Sequence, residues 1–547
     1  MRLFVEALRT KLGYDVAIIV ALTIVLLPLF VTQVPPIADY PNHLARMLIL
    51  AQRHDPYLSL MYEPDWHLIP NLAIDLIMPP LLNLMPLDTA GRLVLAAALV
   101  LPVLGVLALH RALHGCLSIW PLASSLIACN LIFLIGLLNF LIGVGIALLT
   151  AAGWTALHSR RPVLALALLM VGAVATFFCH VISLFFLGIV IACTIIEFLL
   201  SDWRRGLHLM PSLGRYGGEL MLGFAVPAWL YLNSPLRSAH GTIEYASAKL
   251  KLTEVLSPVL NYYPVLDVVT GGLIGLSLLA LVWANRKHKD VLPLRIGLSI
   301  AFLLLLFVMT PFRAKGGAWF DVRFFLMATL LAFVGPRFSL LSPTHRAMLI
   351  LGLGVLLIVR SASVAGVWYE HEEYVRSLQH LLARVPPGAR VLVARADPQL
   401  HHLWWHSVPP DRRIVGFGSA DDNLPVLLLT ERRAFTPLLF ADPSQQPIRV
   451  RDPYRAWSIE VGQPPDYSLL GNTHPSGEAA ERFPYLRNWP EHFDFVLVLD
   501  SDGAPDLLTV LSNNAAVAAR IMPEAGTDVA VLFRVCHLAP CMPTSGT

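Results

Sequence analysis

The sequence predicts a polytopic all-α membrane protein of about eleven transmembrane helices. Two juxtamembrane helices lie in its first outer loop, and a C-terminal extracytoplasmic α/β domain follows. Three observations predict this. The chain is 56% hydrophobic and only 14% charged, against roughly 25% charged in an average soluble domain. Its apolar residues come in runs of about 17–25, the length that crosses a bilayer as helix. From about residue 367 onward those runs stop, charge rises, and Pro and Asp become frequent. The chain therefore divides into a transmembrane domain, 1–366, and a domain of 367–547, long enough to hold a core of its own.

Charge and cysteine content narrow the class further. The net charge of +3 points to no nucleic-acid partner. The 6 cysteines form no disulfide framework. Cys116, Cys129, Cys179 and Cys193 fall in or beside apolar runs. Cys536 and Cys541 lie in the polar tail, spaced either to pair outside the cytoplasm or to stay as free thiols.

The run from Val16 to Val34 is long for a signal core and is followed by no cleavage pattern, so it reads as the first span. Arg2, Arg9 and Lys11 hold the N-terminus inside. The runs at 117–157 and 163–200 are each about 40 residues, enough for two helices and a turn. Arg111, Arg160-Arg161 and Arg204-Arg205 flank them, so each crosses an even number of times. The turns fall near Gly136 to Asn139 and near Cys179-His180. The segment from Asn71 to Met85 is short, holds Asp75 and contains Pro79-Pro80. Were it a span, Arg111, Arg160, Arg204, Arg286, Lys287, Lys289, Arg337, Arg346 and their neighbours would lie outside. It therefore reads as interfacial or re-entrant. Spans at 93–110, 219–232, 263–284, 292–310, 320–336 and 347–366 complete the count, and an odd count from an inside N-terminus leaves the tail outside.

The outer loops hold the candidate chemistry. Asp39-Tyr40-Pro41 opens a helix just past the first span, with Pro in the first turn. Leu44, Met47, Leu48 and Ala51 recur at helical spacing, as in a helix lying on the membrane surface. His43 lies one turn beyond Asp39 on the same face. The loop 233–262 carries Glu244, Lys249 and Lys251. A shorter loop brings Arg313, Lys315 and Arg323 near the lipid surface on the side where cations are disfavoured, and an anionic head group would explain them. The bland readings are a helix cap for Asp39, an interfacial surface histidine for His43, and an Arg323 that pairs with Asp321 or snorkels to head groups. Asn130 and Asn139 read as polar glue between helices, and His180 as a hairpin-tip or cavity residue.

In the tail, Arg390 to Ala394, Phe493 to Leu499 and Val529 to Val535 read as buried strands, and Glu370 to Leu382 and Pro505 to Leu511 as helices. His401, His402 and His406 match no zinc spacing and take the structural reading. The stretch Phe440-Ala441-Asp442-Pro443 with Gln445-Gln446-Pro447 carries no catalytic pattern.

This layout resembles the membrane glycosyltransferases of the GT-C superfamily, the group that includes aminoarabinose transferases and protein O-mannosyltransferases. Asp39 resembles their acidic residue after the first span. Met78-Pro79-Pro80-Leu81 resembles the Pro-Pro-Leu of the second juxtamembrane helix, and Gly91-Arg92-Leu93 the Arg-Leu that begins the next span. The resemblance covers the membrane half. One departure is that Tyr40, not a second acid, follows Asp39. The resemblance implies a GT-C-like transmembrane domain and a glycosyltransferase that uses a polyprenyl-phosphate sugar donor. Membrane lipids surround it, and the acceptor is a glycan, lipid or protein. Asp39 would be the base and His43 would orient the acceptor or tune Asp39. Tyr40, Asn42 and His180 would line the cavity, and Arg313, Lys315 and Arg323 would meet the donor phosphate. No cofactor is specified, and a divalent ion is left open. The expected location is the inner (plasma) membrane, multi-pass, with the N-terminus cytoplasmic and the tail extracytoplasmic. Two other classes share the features: a non-catalytic membrane subunit that binds polysaccharide or a partner, and a lipid-linked sugar transporter.

Overall fold

The computed structural model describes residues 11–116, 118–238, 241–285, 292–336, 343–396, 409–504, 506–527 and 529–537. Arg2, Arg9, Arg286, Lys287, Lys289, Arg337, Pro505 and the histidines 401, 402 and 406 lie outside the described residues, as does Cys541. Cys536 is disulfide-bonded.

Helix α1 (Lys11–Leu26) continues as a 3-10 turn over Leu27–Phe30, where Pro28 removes a backbone donor. The first loop then holds α2 (Tyr40–Ala51), β1 (Tyr62–Pro64) and α3 (Ala73–Leu82). With 10 residues, α3 is roughly 15 Å long, half of the ~30 Å hydrocarbon core, so it does not span. Helix α2 departs from the expectation of a surface helix. Every residue from Tyr40 to Leu50 is buried, because α3, α4 (Leu87–His114) and the C-terminal part of the chain cover it on all sides.

The expected hairpin over 117–157 is half realised. Its first arm is a 3-10 stretch, Trp120–Ile127, then a break and one short helix, α5 (Leu131–Ile135). Its second arm is a full helix, α6 (Leu138–Leu157). Asn130 makes the break. Its Oδ1 accepts from Phe133 N at 3.1 Å and its Nδ2 donates to Ile127 O at 2.7 Å, taking backbone groups that a continuous helix would use. The other run gives the expected pair, α7 (Pro162–Cys179) and α8 (Val181–Arg204), joined at the extended residue His180.

The membrane part continues through α9 (Leu209–Leu232), α10 (Ala248–Glu254), α11 (Pro264–Asn285) and α12 (Leu294–Met309). A small hairpin of β2 (Arg313–Ala314) and β3 (Gly317–Ala318) leads to α13 (Phe320–Val334) and α14 (Pro343–Leu382). Among the described residues 7 helices are long and apolar enough to cross a membrane: α1 with its 3-10 turn, α4, α6, α7, α8, α11 and α14. The shorter or less apolar α9, α12 and α13 stand where the remaining spans were expected. Large apolar side chains such as Met221, Trp229, Leu279 and Trp283 face outward, where lipid rather than water is the favourable solvent. The protein is a polytopic membrane protein. Helix α14 runs unbroken for 40 residues through position 366, so the chain leaves the bundle as one rod.

Beyond α14 lies a sheet-containing part. Strands β4 (Val391–Arg395), β6 (Phe495–Leu499), β8 (Ala530–Val535) and β7 (Ile521–Gly526) form one sheet in the order β4-β6-β8-β7. The pair β4–β6 is parallel, in register Val391 to Phe495, and the others are antiparallel. The runs in β4 and β6 are fully buried, as their unbroken hydrophobicity predicts. Strand β5 (Ile448–Val450) pairs instead with β1 of the first loop, Tyr62 opposite Val450. The first loop and the C-terminal part of the chain are thereby stitched together.

Candidate active site

Asp39 is seated on the broken arm of the first hairpin. The last carbonyls of a helix have no intrahelical partner. Those of α5 accept from the first loop, Leu134 O from Ala38 N at 2.8 Å and Ile135 O from Asp39 N at 3.0 Å. Gly136 ends α5 with φ of 97° and packs directly against Asp39. A Cβ at Gly136 would stand 2.8 Å from the Asp39 Cβ and 3.0 Å from its backbone N, so the position demands glycine twice over. Asp39 precedes α2, yet its side chain makes no cap bond. Its Oδ1 accepts from Asn423 Nδ2 at 3.1 Å. The half-buried carboxylate opens onto a cavity of about 340 Å³. Burial raises its pKa to about 6, Arg46 opposes the rise, Asp422 adds to it and the Asn423 bond opposes it.

His43, expected to orient the acceptor or tune Asp39, lines the same cavity. Its Nε2–H donates to Gly136 O at 2.9 Å, and its Nδ1 accepts from Arg46 Nη2 at 2.9 Å. Both ring nitrogens are spent. Burial, and then Arg46, hold its pKa down at about 3. It stays neutral and braces Gly136 under Asp39. Arg46 in turn gives its Nε–H to Asp75 Oδ1 at 2.6 Å, a fully buried ion pair between α2 and α3. Arg46 lies seven residues beyond Asp39 and three beyond His43, a helical spacing legible in the sequence; its partner Asp75 is not.

The opposite wall is cationic. Arg323 in α13 is 5% exposed. Its Nη2 donates to Ala318 O at 3.0 Å, its Nη1 lies 2.8 Å from His180 Nε2, and its Nε has no partner among the described residues. His180 Nδ1 accepts from Ile182 N at 3.0 Å. The neutral ring then carries its proton on Nε2, and a guanidinium has only donors. Two N–H groups thus face each other, an arrangement that an oxygen anion accepting from both would resolve. Lys315 joins this wall, its Nζ donating to Arg237 O at 3.1 Å from a left-handed residue of φ 49°. Asp321 does not pair with Arg323. It binds Lys251, whose Nζ also donates to Phe307 O at 2.7 Å.

Two expected site residues lie elsewhere. Tyr40 is fully buried and does not line the cavity. Its hydroxyl packs on α4, where a Cβ at Gly91 would stand 2.2 Å from it. Tyr40 and Asn42 are two residues apart, about 200° around the helix, so only Asn42 faces inward. Asn42 Oδ1 accepts from Phe440 N at 3.2 Å. Arg313 is exposed on the β2–β3 hairpin, 3.8 Å from Glu244, and is not part of the wall. Asn139 acts as glue, its Nδ2 donating to Asn71 O at 2.7 Å and its Oδ1 accepting from Ile74 N at 3.1 Å.

The tail supplies walls that no pattern announced: Phe440, Ser444, Gln445 and Gln446. Gln446 is 1% exposed and its Oε1 has no partner among the described residues. A second cavity, of about 540 Å³ and almost wholly apolar, runs between α8, α9 and Phe302 of α12. Val181, Phe185 and Tyr231 line both cavities, so the polar chamber and the apolar groove share a wall.

The donor set does not fit a divalent ion. Among the described residues Asp39 is the only carboxylate in the wall, and none of them form a group of three or more His, Cys, Asp or Glu that could hold a metal ion.

No protein-family model matches the chain, and no curated protein matches it. Among solved structures it is similar to the crystal structure of ArnT from Cupriavidus metallidurans bound to undecaprenyl phosphate, at 13% sequence identity and a TM-score of 0.47, over 96% of this chain and 98% of that one.

Proposed function

We propose that this protein is a membrane glycosyltransferase that moves a sugar from a polyprenyl-phosphate donor to a hydroxyl group of a lipid, polysaccharide or protein acceptor on the extracytoplasmic side. The observation that carries the reading is the shared wall. A polar chamber with one carboxylate and a cationic face adjoins an apolar groove. A molecule with an isoprenoid chain, a phosphate and a sugar matches that sequence of environments.

The chemistry follows from the walls. The chain lies in the groove of α8 and α9, and the phosphate takes the donors of Arg323, His180 and Lys315. Asp39 accepts the proton of the acceptor hydroxyl, whose oxygen attacks the anomeric carbon. The anomeric C–O bond breaks, and the polyprenyl phosphate leaves with its electron pair. The cationic wall stabilises the charge that develops there. A base with a pKa of about 6 is about nine-tenths ionised at neutral pH.

The charge pattern of the sequence supports a tail that faces outside. A cytoplasm-active reporter fused after Thr547 is expected to stay silent. Activity of that reporter would reverse the orientation. The function is tested by incubating the purified protein with a panel of polyprenyl-phosphate sugars. Release of polyprenyl phosphate, by transfer or by slow hydrolysis, is expected with at least one donor. Tight binding without release from any donor would favour a non-catalytic subunit, and movement of intact donor across a vesicle would favour a transporter.

A further inference from the structure

We propose that Asn423, carried by the C-terminal part of the chain, is the positioning residue of the Asp39 carboxylate, so that the sheet-containing part holds the catalytic base in place. The proposal rests on the reading of Asp39 as the base.

An amide nitrogen has two hydrogens, and both are used here. Asn423 Nδ2 donates to Ala38 O at 3.0 Å and to Asp39 Oδ1 at 3.1 Å. One bond grips the backbone before the aspartate and the other its side chain, so the carboxylate is pinned relative to its own main chain. No other hydrogen bond to the Asp39 side chain occurs among the described residues.

Asn423 is itself rigidly presented. Arg395 ends β4 and binds the two residues before Asn423, contacting Asp421 Oδ1 at 2.8 Å and Asp422. Its Nη2 also meets Asp500 Oδ2 at 2.6 Å, at the end of β6. Tyr374 of α14 donates to Asp421 Oδ2 at 3.1 Å, and Gln463 Nε2 to Asp422 Oδ2 at 2.8 Å. A buried network held by this many bonds and ion pairs has few alternative arrangements. The path therefore runs from the sheet through Arg395 and Asp421–Asp422 to Asn423 and the base. The charged groups facing Asp39 are Arg46 on α2 and Asp422 on the Asn423 loop; His43 is neutral.

Two single substitutions in the full-length protein separate positioning from mere support. Asn423→Ala removes a donor to the ionised carboxylate, so the acid limb of the turnover–pH profile moves up by about one pH unit. It also lowers kcat, with KM for the donor little changed. Asp422→Asn removes a like charge and moves the limb down. General loosening would move neither limb, or both in one direction. Turnover is read as polyprenyl-phosphate release from whichever panel donor the wild type uses. In parallel, the Asp39 carboxyl stretch is titrated by infrared difference between each protein and its Asp39→Asn counterpart, which needs no activity. Coincident titrations of wild type and Asn423→Ala in the infrared would overturn the proposal, as would shifts of the same sign for both substitutions. A wild type inactive on every donor overturns the glycosyltransferase reading instead, while the infrared shift still reports on the clamp. Should Asn423→Ala not fold, Asn423→Asp, which puts a second carboxylate against Asp39, must raise its titration further.

Discussion

Replacing Asp39 with Asn separates the catalytic from the capping role of this residue by moving stability and turnover in opposite directions. The carboxylate makes no cap bond to α2, and an Asn Oδ1 can still accept from Asn423. Folding takes the Asp39 pKa from 3.8 to about 6. A carboxyl whose folded pKa is raised binds more protons in the folded state between those values, so stability falls as pH rises through that window, and the full penalty persists above about 6. Two units correspond to about 3 kcal/mol; with solvent reaching the carboxylate through the cavity, roughly 1–3 kcal/mol is expected. The Asn variant escapes that penalty. At pH 7 its thermal unfolding should be unchanged or raised, with the difference vanishing toward pH 4. Its turnover should fall by roughly 10²–10⁴ with donor binding near wild type. Wild-type turnover should itself be lost as pH falls through about 6, to about one-tenth at pH 5. The assay is polyprenyl-phosphate release alongside thermal unfolding in detergent or nanodiscs. Near-normal turnover in the variant would refute the assignment of Asp39 as base. A clear loss of stability at pH 7 would show that the side chain caps or braces the fold after all.

Arg323→Ala removes a charge-assisted donor from the cationic wall and should weaken donor binding by about 1.5–3 kcal/mol, roughly 10- to 150-fold. Arg313→Ala, on the exposed hairpin, should leave binding unchanged; equal losses from both would place the phosphate outside the cavity. At Gly188 in the apolar groove, an added Cβ would meet Phe224 at an ordinary 3.8 Å, so Gly188→Ala should be silent. Gly188→Leu fills the groove and should weaken a long polyprenyl donor more than a short-chain one, compared by their KM values. Arg46→Met strands the buried Asp75 charge and should cost about 3–5 kcal/mol. Adding Asp75→Leu should recover most of that, because an apolar pair replaces an ion pair at little net cost; thermal unfolding of the single and double variants checks it.

The sequence by itself determined the class of the molecule, because a bilayer imposes a one-dimensional rule. A helix must carry about 20 apolar residues to cross, so most long spans and the short α3 are written locally. Asp39, Asn42, His180, Lys315 and Arg323, which line the polar cavity, stood out for a related reason: polar residues next to spans are costly unless they have partners or a ligand. Tertiary structure alone decided what those residues touch. Periodicity cannot tell a 3-10 stretch from an α-helix in an apolar run, so the break at Asn130 that seats Asp39 was hidden. Tyr40 and Asn42 belong to one motif, and only the packing on Gly91 turned Tyr40 away. His43 was placed on the face of Asp39 by helical spacing, but that spacing could not show that Gly136 and Arg46 occupy both its nitrogens. The clamp on Asp39 comes from Asn423, 384 residues distant, and the cavity wall from neutral glutamines that no local pattern marks. Contacts so far apart in sequence leave no periodic trace, because the fold that joins them, and not the segment that bears them, supplies the geometry.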